Sequence, residues 1–161
     1  MCIILVCFSV LWYNICIKDR CLWGDLISMG LYATAVGLDS ESCFDCGYIT
    51  YGSFLFELVR VAYGNEMLKL YRKAGSEQLT EEEAKYWNEH CNDDLDLLLW
   101  HSDCDGKFMP KECRRIYNAI KDLHSDLQGH NYGVMKPYNM FEHWKAMFKY
   151  CADRRVCLWY C

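Results

Sequence analysis

The sequence predicts a single α+β domain, predominantly helical, with a small antiparallel or mixed sheet formed by short strands from the terminal regions. Three observations carry this expectation. Apolar residues recur at helical spacing through much of 53–127 and again in 139–153, whereas the β-type runs, LYATAV at 31–36 and VCLWYC at 156–161, are short. The length of 161 residues suits one ordinary domain. Six Trp, twelve Tyr and seven Phe are enough to build its core without disulfides.

Taken in order, LYATAV is followed by the polar turn GLDSES, and CGYITYG at 46–52 is predicted as a second extended piece from its aromatic and β-branched side chains. The period then changes. In SFLFELVRVAYG, at 53–64, Phe54, Leu58 and Val61 or Ala62 share one face and Glu57 and Arg60 another, which predicts a helix closed by Gly64. Thr80 with Glu83 three positions later is a capping-box pattern. It predicts the start of the next helix, with Ala84 and Trp87, then His90 or Cys91, on the inner stripe.

A short helix at 94–100 is expected to bury Leu97 and Trp100 with Leu98 beside them, while Asp93, Asp94 and Asp96 form its first turn and solvated side. Pro110 suits a first helical turn, where its missing N–H has no partner to lose. Cys113, Ile116, Tyr117, Ile120 and Leu123 then continue a helix to about Leu127. QGHNYG punctuates the chain before a last helix from about Asn139 to Asp153. Pairing VCLWYC with LYATAV would close a small sheet against the helices.

A formal charge of −5 supplies no general positive field for a nucleic-acid backbone, and Lys111, Arg114, Arg115 and Lys121 read as the solvated face of a helix. A protein partner is therefore the expected kind of interaction. Residues 1–28 are set apart as an apolar N-terminal extension to the globular part, 29–161. Residues 2–17 are nearly uninterrupted apolar sequence, at the short end of the spanning range and without a positive n-region or a small-x-small cleavage site. Membrane contact is expected only through this extension. Met29 is a candidate start, and MGLYAT there matches a loose glycine-acylation pattern. The expected compartment is the cytoplasm, with membrane association or secretion as the alternatives. Twelve cysteines fit reduced buried thiols, metal ligands or disulfides. The CxxC spacing of CFDC, at 43–46, fits zinc binding, disulfide exchange or a simple turn; it comes without the further ligands that define a zinc site, and the extended piece predicted beside it lacks the strand-to-helix entry of a thioredoxin-like motif.

The most specific string is HSDCDG, at 101–106. With His101 counted as loop position one, Asp103, Asp105, Gly106, Phe108 and Glu112 fall at three, five, six, eight and twelve. This resembles an EF-hand calcium loop, whose oxygen ligands recur at one, three, five, seven, nine and twelve and whose sixth-position glycine permits a sharp turn. The metal ligands implied are Asp103, Asp105 and Glu112, with His101 and the backbone carbonyl of Lys107 as further candidates. The flanks agree, because Leu97 and Trp100 precede the loop while Phe108, Cys113, Ile116 and Tyr117 follow it on helix-compatible apolar positions. Two positions depart from the pattern. His101 offers an imidazole where a hard cation prefers oxygen, and Met109 at position nine has no hard oxygen in its side chain. Calcium is the expected ion, ahead of magnesium, manganese or zinc. The alternative without an ion is an acidic turn in which Asp103 and Asp105 bond local amides, His101 stacks or caps the previous helix, and Glu112 makes an electrostatic contact at the start of the next helix.

The wider segment, Leu98, Leu99 and His101 through Gly106, then Pro110, Glu112 and Cys113, resembles small bacterial or phage proteins with an NHSDCDG-like segment. Weaker similarity extends through most of 29–161, and Trp100 stands where that pattern often has Asn. The resemblance implies no particular activity. The expected function is a non-enzymatic interaction or regulatory module stabilised by a divalent cation at the loop. One alternative is a metal-independent structural or protein-binding domain. Another is a hydrolytic or other acid–base enzyme using His101 with Asp103 or Asp105, or Cys104 as nucleophile; no nucleophile-elbow, zinc-protease or phosphate-loop motif accompanies those residues.

Overall fold

The structure, a computed structural model, describes residues 30–39, 42–101, 106–131 and 134–160. The extension at 1–28 lies outside the described residues. Alternation makes the first strand: Leu31, Ala33 and Ala35 are buried while Tyr32 and Val36 face out, so β1 (Gly30–Ala35) lays one face on the core. A turn follows in which the Leu38 N–H donates to the Ala35 carbonyl and the Ser42 N–H to the Asp39 carboxylate.

The second extended piece is β2 (Phe44–Gly47), earlier than predicted, because α1 (Tyr48–Tyr63) already begins at Tyr48. The β-type residues of YITYG are overridden by tertiary packing. Tyr51 stands one helical turn before Phe54, and both are buried with Leu58 and Val59. Gly64, at φ +87°, ends that helix and lets α2 (Asn65–Ala74) start at once. This second helix was not predicted, although Met67, Leu68, Tyr71 and Ala74 bury a regular stripe.

α3 (Glu81–His90) starts where the capping box placed it. Thr80 Oγ1 accepts from the Glu83 N–H at 3.3 Å, and the Glu83 carboxylate accepts from the Thr80 N–H at 2.9 Å. Trp87 faces in, Ala84 and Cys91 are half-buried, and His90 is exposed and stacked on Tyr86. α4 (Asp93–Leu99) turns differently from the prediction: Leu95, Leu98 and Leu99 are buried, while Leu97 and Trp100 are only half-buried. Asn92 caps it by accepting from the Asp94 N–H at 2.8 Å.

After the loop come β3 (Gly106–Phe108) and α5 (Pro110–Ile120), which opens with Pro110 as predicted. The helix stops at Ile120, short of Leu127, because Ser125 is drawn into other bonds. It donates to Glu57, accepts from the Leu127 N–H, and gives its carbonyl to Asn139. QGHNYG is more than punctuation, since β4 (Gln128–Asn131) pairs antiparallel with β5 (Val134–Asn139). α6 (Met140–Arg154) follows, capped by Asn139 accepting from the Glu142 N–H at 3.0 Å. β6 (Leu158–Tyr160) closes the described chain.

The architecture is α+β. β6 inserts between β1 and β3 to give a four-stranded antiparallel sheet in the order β2-β1-β6-β3. The predicted pairing of the two terminal-region strands is present, with Ala33 opposite Tyr160 and Ala35 opposite Leu158. Helices cover the sheet face that carries Leu31, Phe44, Phe108 and Tyr160; Tyr32, Lys107 and Trp159 are exposed. At the centre lies Trp144, ringed by Phe44, Tyr51, Phe54, Phe148 and Tyr160 at centroid distances of 4.5 to 6.0 Å. No helix among the described residues is long and apolar enough to cross a membrane.

Candidate functional site

The loop is held by its two ends. α4 finishes at Leu99, and the His101 N–H donates to the Leu98 carbonyl at 3.4 Å. The His101 ring lies 4.0 Å from the Phe108 ring and 5.1 Å from that of Tyr160, so the imidazole is half-buried as an aromatic packing group. Gly106 is required twice over. Its φ of +135° is closed to ordinary L-residues, and a Cβ there would meet His101 Cε1 at 2.9 Å. Phe108 turns inward against Phe148 and Tyr160 and is 1% exposed. Lys107 turns outward, its ammonium 4.7 Å from the centre of the Trp159 ring.

Met109 is the N-cap of α5, and Glu112 at the third helical position accepts from the Met109 N–H through Oε2 at 2.7 Å. Only this half of a capping box is chemically sound, because a thioether is a poor acceptor for the reciprocal bond. The carboxylate therefore sits beside the loop-facing first turn, with Oε1 as its second acceptor. Asp103 and Asp105 lie outside the described residues, as do Ser102 and Cys104. Of the implied ligands, the structure thus locates His101, Lys107 and Glu112. No group of three His, Cys, Asp or Glu is placed to hold a metal among the described residues.

The cysteines that are described are free thiols. Cys43 of CFDC is buried with Sγ 3.1 Å from Thr34 Oγ1, whereas the side chain of Cys46 lies outside the described residues. Strand β2 does run straight into helix α1, but both cysteines precede the helix. Contact with the Cys151 thiol, reinforced by burial, pushes Cys113 far up, and burial pushes Cys91 up to about 12. Neither is a nucleophile at neutral pH. The basic face behaves as expected: Arg114 and Arg115 are exposed and pair at 2.6 Å with Asp153 and Asp94.

One acid was misread. Asp96 does not lie on the solvated side of α4; it is half-buried, Oδ2 accepts from the Trp87 indole N–H at 3.4 Å, and Oδ1 is buried without a partner. Burial pushes its carboxyl up to about 6, with Asp93 adding repulsion and the indoles of Trp87 and Trp100 pulling the other way. Trp87, Trp100 and Tyr71 pack on one another at 5.1 to 5.8 Å, and Tyr63 meets Trp87 at 6.4 Å. The available signal was an acid lying between two tryptophans, nine residues after Trp87 and four before Trp100.

No family model, curated protein or solved structure matches the chain.

Proposed function

We propose that the protein is a non-enzymatic interaction or regulatory module whose helix–loop–helix segment is stabilised by a divalent cation, calcium first, at the acidic loop. The observation that carries this reading is the phase of the loop. Gly106 at position six has φ +135°, Phe108 at position eight is packed inward, and the exiting helix starts at position ten. Glu112 at position twelve has its carboxylate turned back to the loop side. β6 pairs with β3 and so ties the exit of the loop, from Gly106 on, to the sheet. Asp103, Asp105 and Glu112 would supply the charged oxygens and the Lys107 carbonyl a neutral one. The ion would draw together two helices that otherwise meet through side-chain packing.

A specific observation favours the metal-independent reading as second choice. His101 is already engaged with Phe108 at 4.0 Å, and Glu112 already caps α5. The two readings separate in a calorimetric titration of the metal-free full chain with calcium, magnesium, manganese and zinc. The first expects stoichiometric calcium binding that is lost in Asp103→Asn, Asp105→Asn or Glu112→Gln, together with a higher melting temperature in excess calcium. Glu112→Gln is informative because glutamine retains the cap while losing the charge. A folded chain that binds no divalent ion would leave the metal-independent domain.

A further inference from the structure

Asp96 is a carboxylate placed where its charge is poorly supported. Oδ2 takes a long bond from Trp87, and Oδ1 is buried with no partner at hydrogen-bond distance, the Trp100 indole adding only a weaker pull on the charged form. An unpaired buried charge is costly in proportion to its desolvation, and such a group relieves the cost by taking up a proton. We propose that Asp96, held between the indoles of Trp87 and Trp100, is a proton-binding joint between α3 and α4 that tightens when its carboxyl is neutral. This inference stands whether or not the acidic loop takes a cation.

The groups that face the carboxyl come from every element around it. α3 contributes the Trp87 indole, and the C-cap of α4 contributes that of Trp100. Asp93, on α4 itself, repels the charged form. α1 presents Tyr63, whose hydroxyl accepts from the Asn92 N–H at 2.9 Å, and the α3–α4 turn presents Cys91. Burial holds both of these near 12, so neither titrates beside Asp96 around pH 6. α2 contributes Tyr71 to the ring cluster, but its hydroxyl is spent on the Leu99 carbonyl at 2.8 Å. Arg115 of α5 meets α4 at Asp94, 2.6 Å away, about 200° around the helix from Asp96.

The sign follows from linkage. The folded carboxyl, at about 6, holds its proton more tightly than the ordinary value of 3.8, so folding takes up a proton between those limits. The resulting stabilisation is full below about pH 4, falls as pH rises, and is lost once pH passes about 6. The helix affected is the one that leads into His101, so the strength of the joint sets how firmly the loop entry is held.

The test compares thermal unfolding of the full chain with that of Asp96→Asn from about pH 4 to about pH 7.5, other titrations cancelling in the difference. The two should melt together near the acid end. The gap should open between about pH 4 and about pH 6 and then stay constant, with Asp96→Asn higher by several degrees. Parallel curves across the whole range would overturn the proposal. Should Asp96→Asn fail to fold, the indole emission of the wild-type chain is titrated instead. A step with its midpoint near 6 that moves to higher pH in Trp87→Phe is the expected result, and emission without a step near 6 overturns it equally.

Discussion

Two aromatic clusters hold this molecule, and they differ in what they enclose. Around Trp144, rings from β2, α1, α6 and β6 close on one another, and Trp144 itself is fully buried. Around Trp87, rings from α1, α2 and α3 and the end of α4 assemble at similar distances but take in the Asp96 carboxyl. The comparison teaches that ring packing of the same kind responds to pH according to the group it encloses: beside Trp144 that group is the His143 imidazole, whose folded form resists protonation. It gives a titratable joint where an acid lies inside it. Even the first cluster has polar loose ends, because Trp144 Nε1 and His143 Nε2 are buried without a partner. Burial holds the His143 imidazole below its ordinary value, so neutrality is the form that corner favours too.

Three substitutions sharpen the contrast. Trp144→Ala is expected to have the largest effect, on the order of 3–5 kcal/mol by denaturant unfolding, because a large cavity replaces ring contacts. A loss there that grows toward acid, as expected of a joint tightened by protonation, would break the distinction between the clusters. Next in size, Trp87→Phe should cost on the order of 1–3 kcal/mol through lost volume and a lost hydrogen bond. It should also extend the pH window, because the indole donor that favours the charged Asp96 is gone. The smallest effect is expected from Thr80→Ala, which opens the capping box of α3 without touching a ring and should cost about 1 kcal/mol. Its pH profile should remain parallel to that of the wild-type chain.

Much of the frame was readable in advance wherever a local rule and the tertiary packing agree. The Thr80–Glu83 box, Pro110 at the first turn of α5 and Asn139 before α6 follow from short-range chemistry, whereas for the terminal-region strands local pattern marks two β-type runs and leaves open which edges pair. Errors arose where a distant partner decides. YITYG is helical because Tyr51 is needed beside Trp144, and the end of α5 is set by the bonds of Ser125 to Glu57 and Asn139. A glycine after a helical run signals a stop, and nothing local to Gly64 announces α2, whereas its positive φ redirects the chain from one helix straight into the next.

At the candidate loop, the sequence correctly marked Gly106 as a turn residue and Phe108 as an inward anchor. Stacking of His101 belongs to the ion-free reading of the loop, and its nearer ring, Phe108, is local, whereas its second partner, Tyr160, lies 59 residues further along and no local pattern contains it. Asp96 was misread for a related reason. Three acids close together at a helix start suggest solvent, and only the positions of Trp87 and Trp100 show which of them turns inward.

The difference between the clusters comes down to one carboxyl group. Following the Asp96 side-chain carboxyl carbon of the full chain by NMR as pH is raised reports its protonation directly. A midpoint near 6 is the expected result, and a midpoint at the ordinary 3.8 would show that the Trp87 corner encloses no more of a switch than the Trp144 core does.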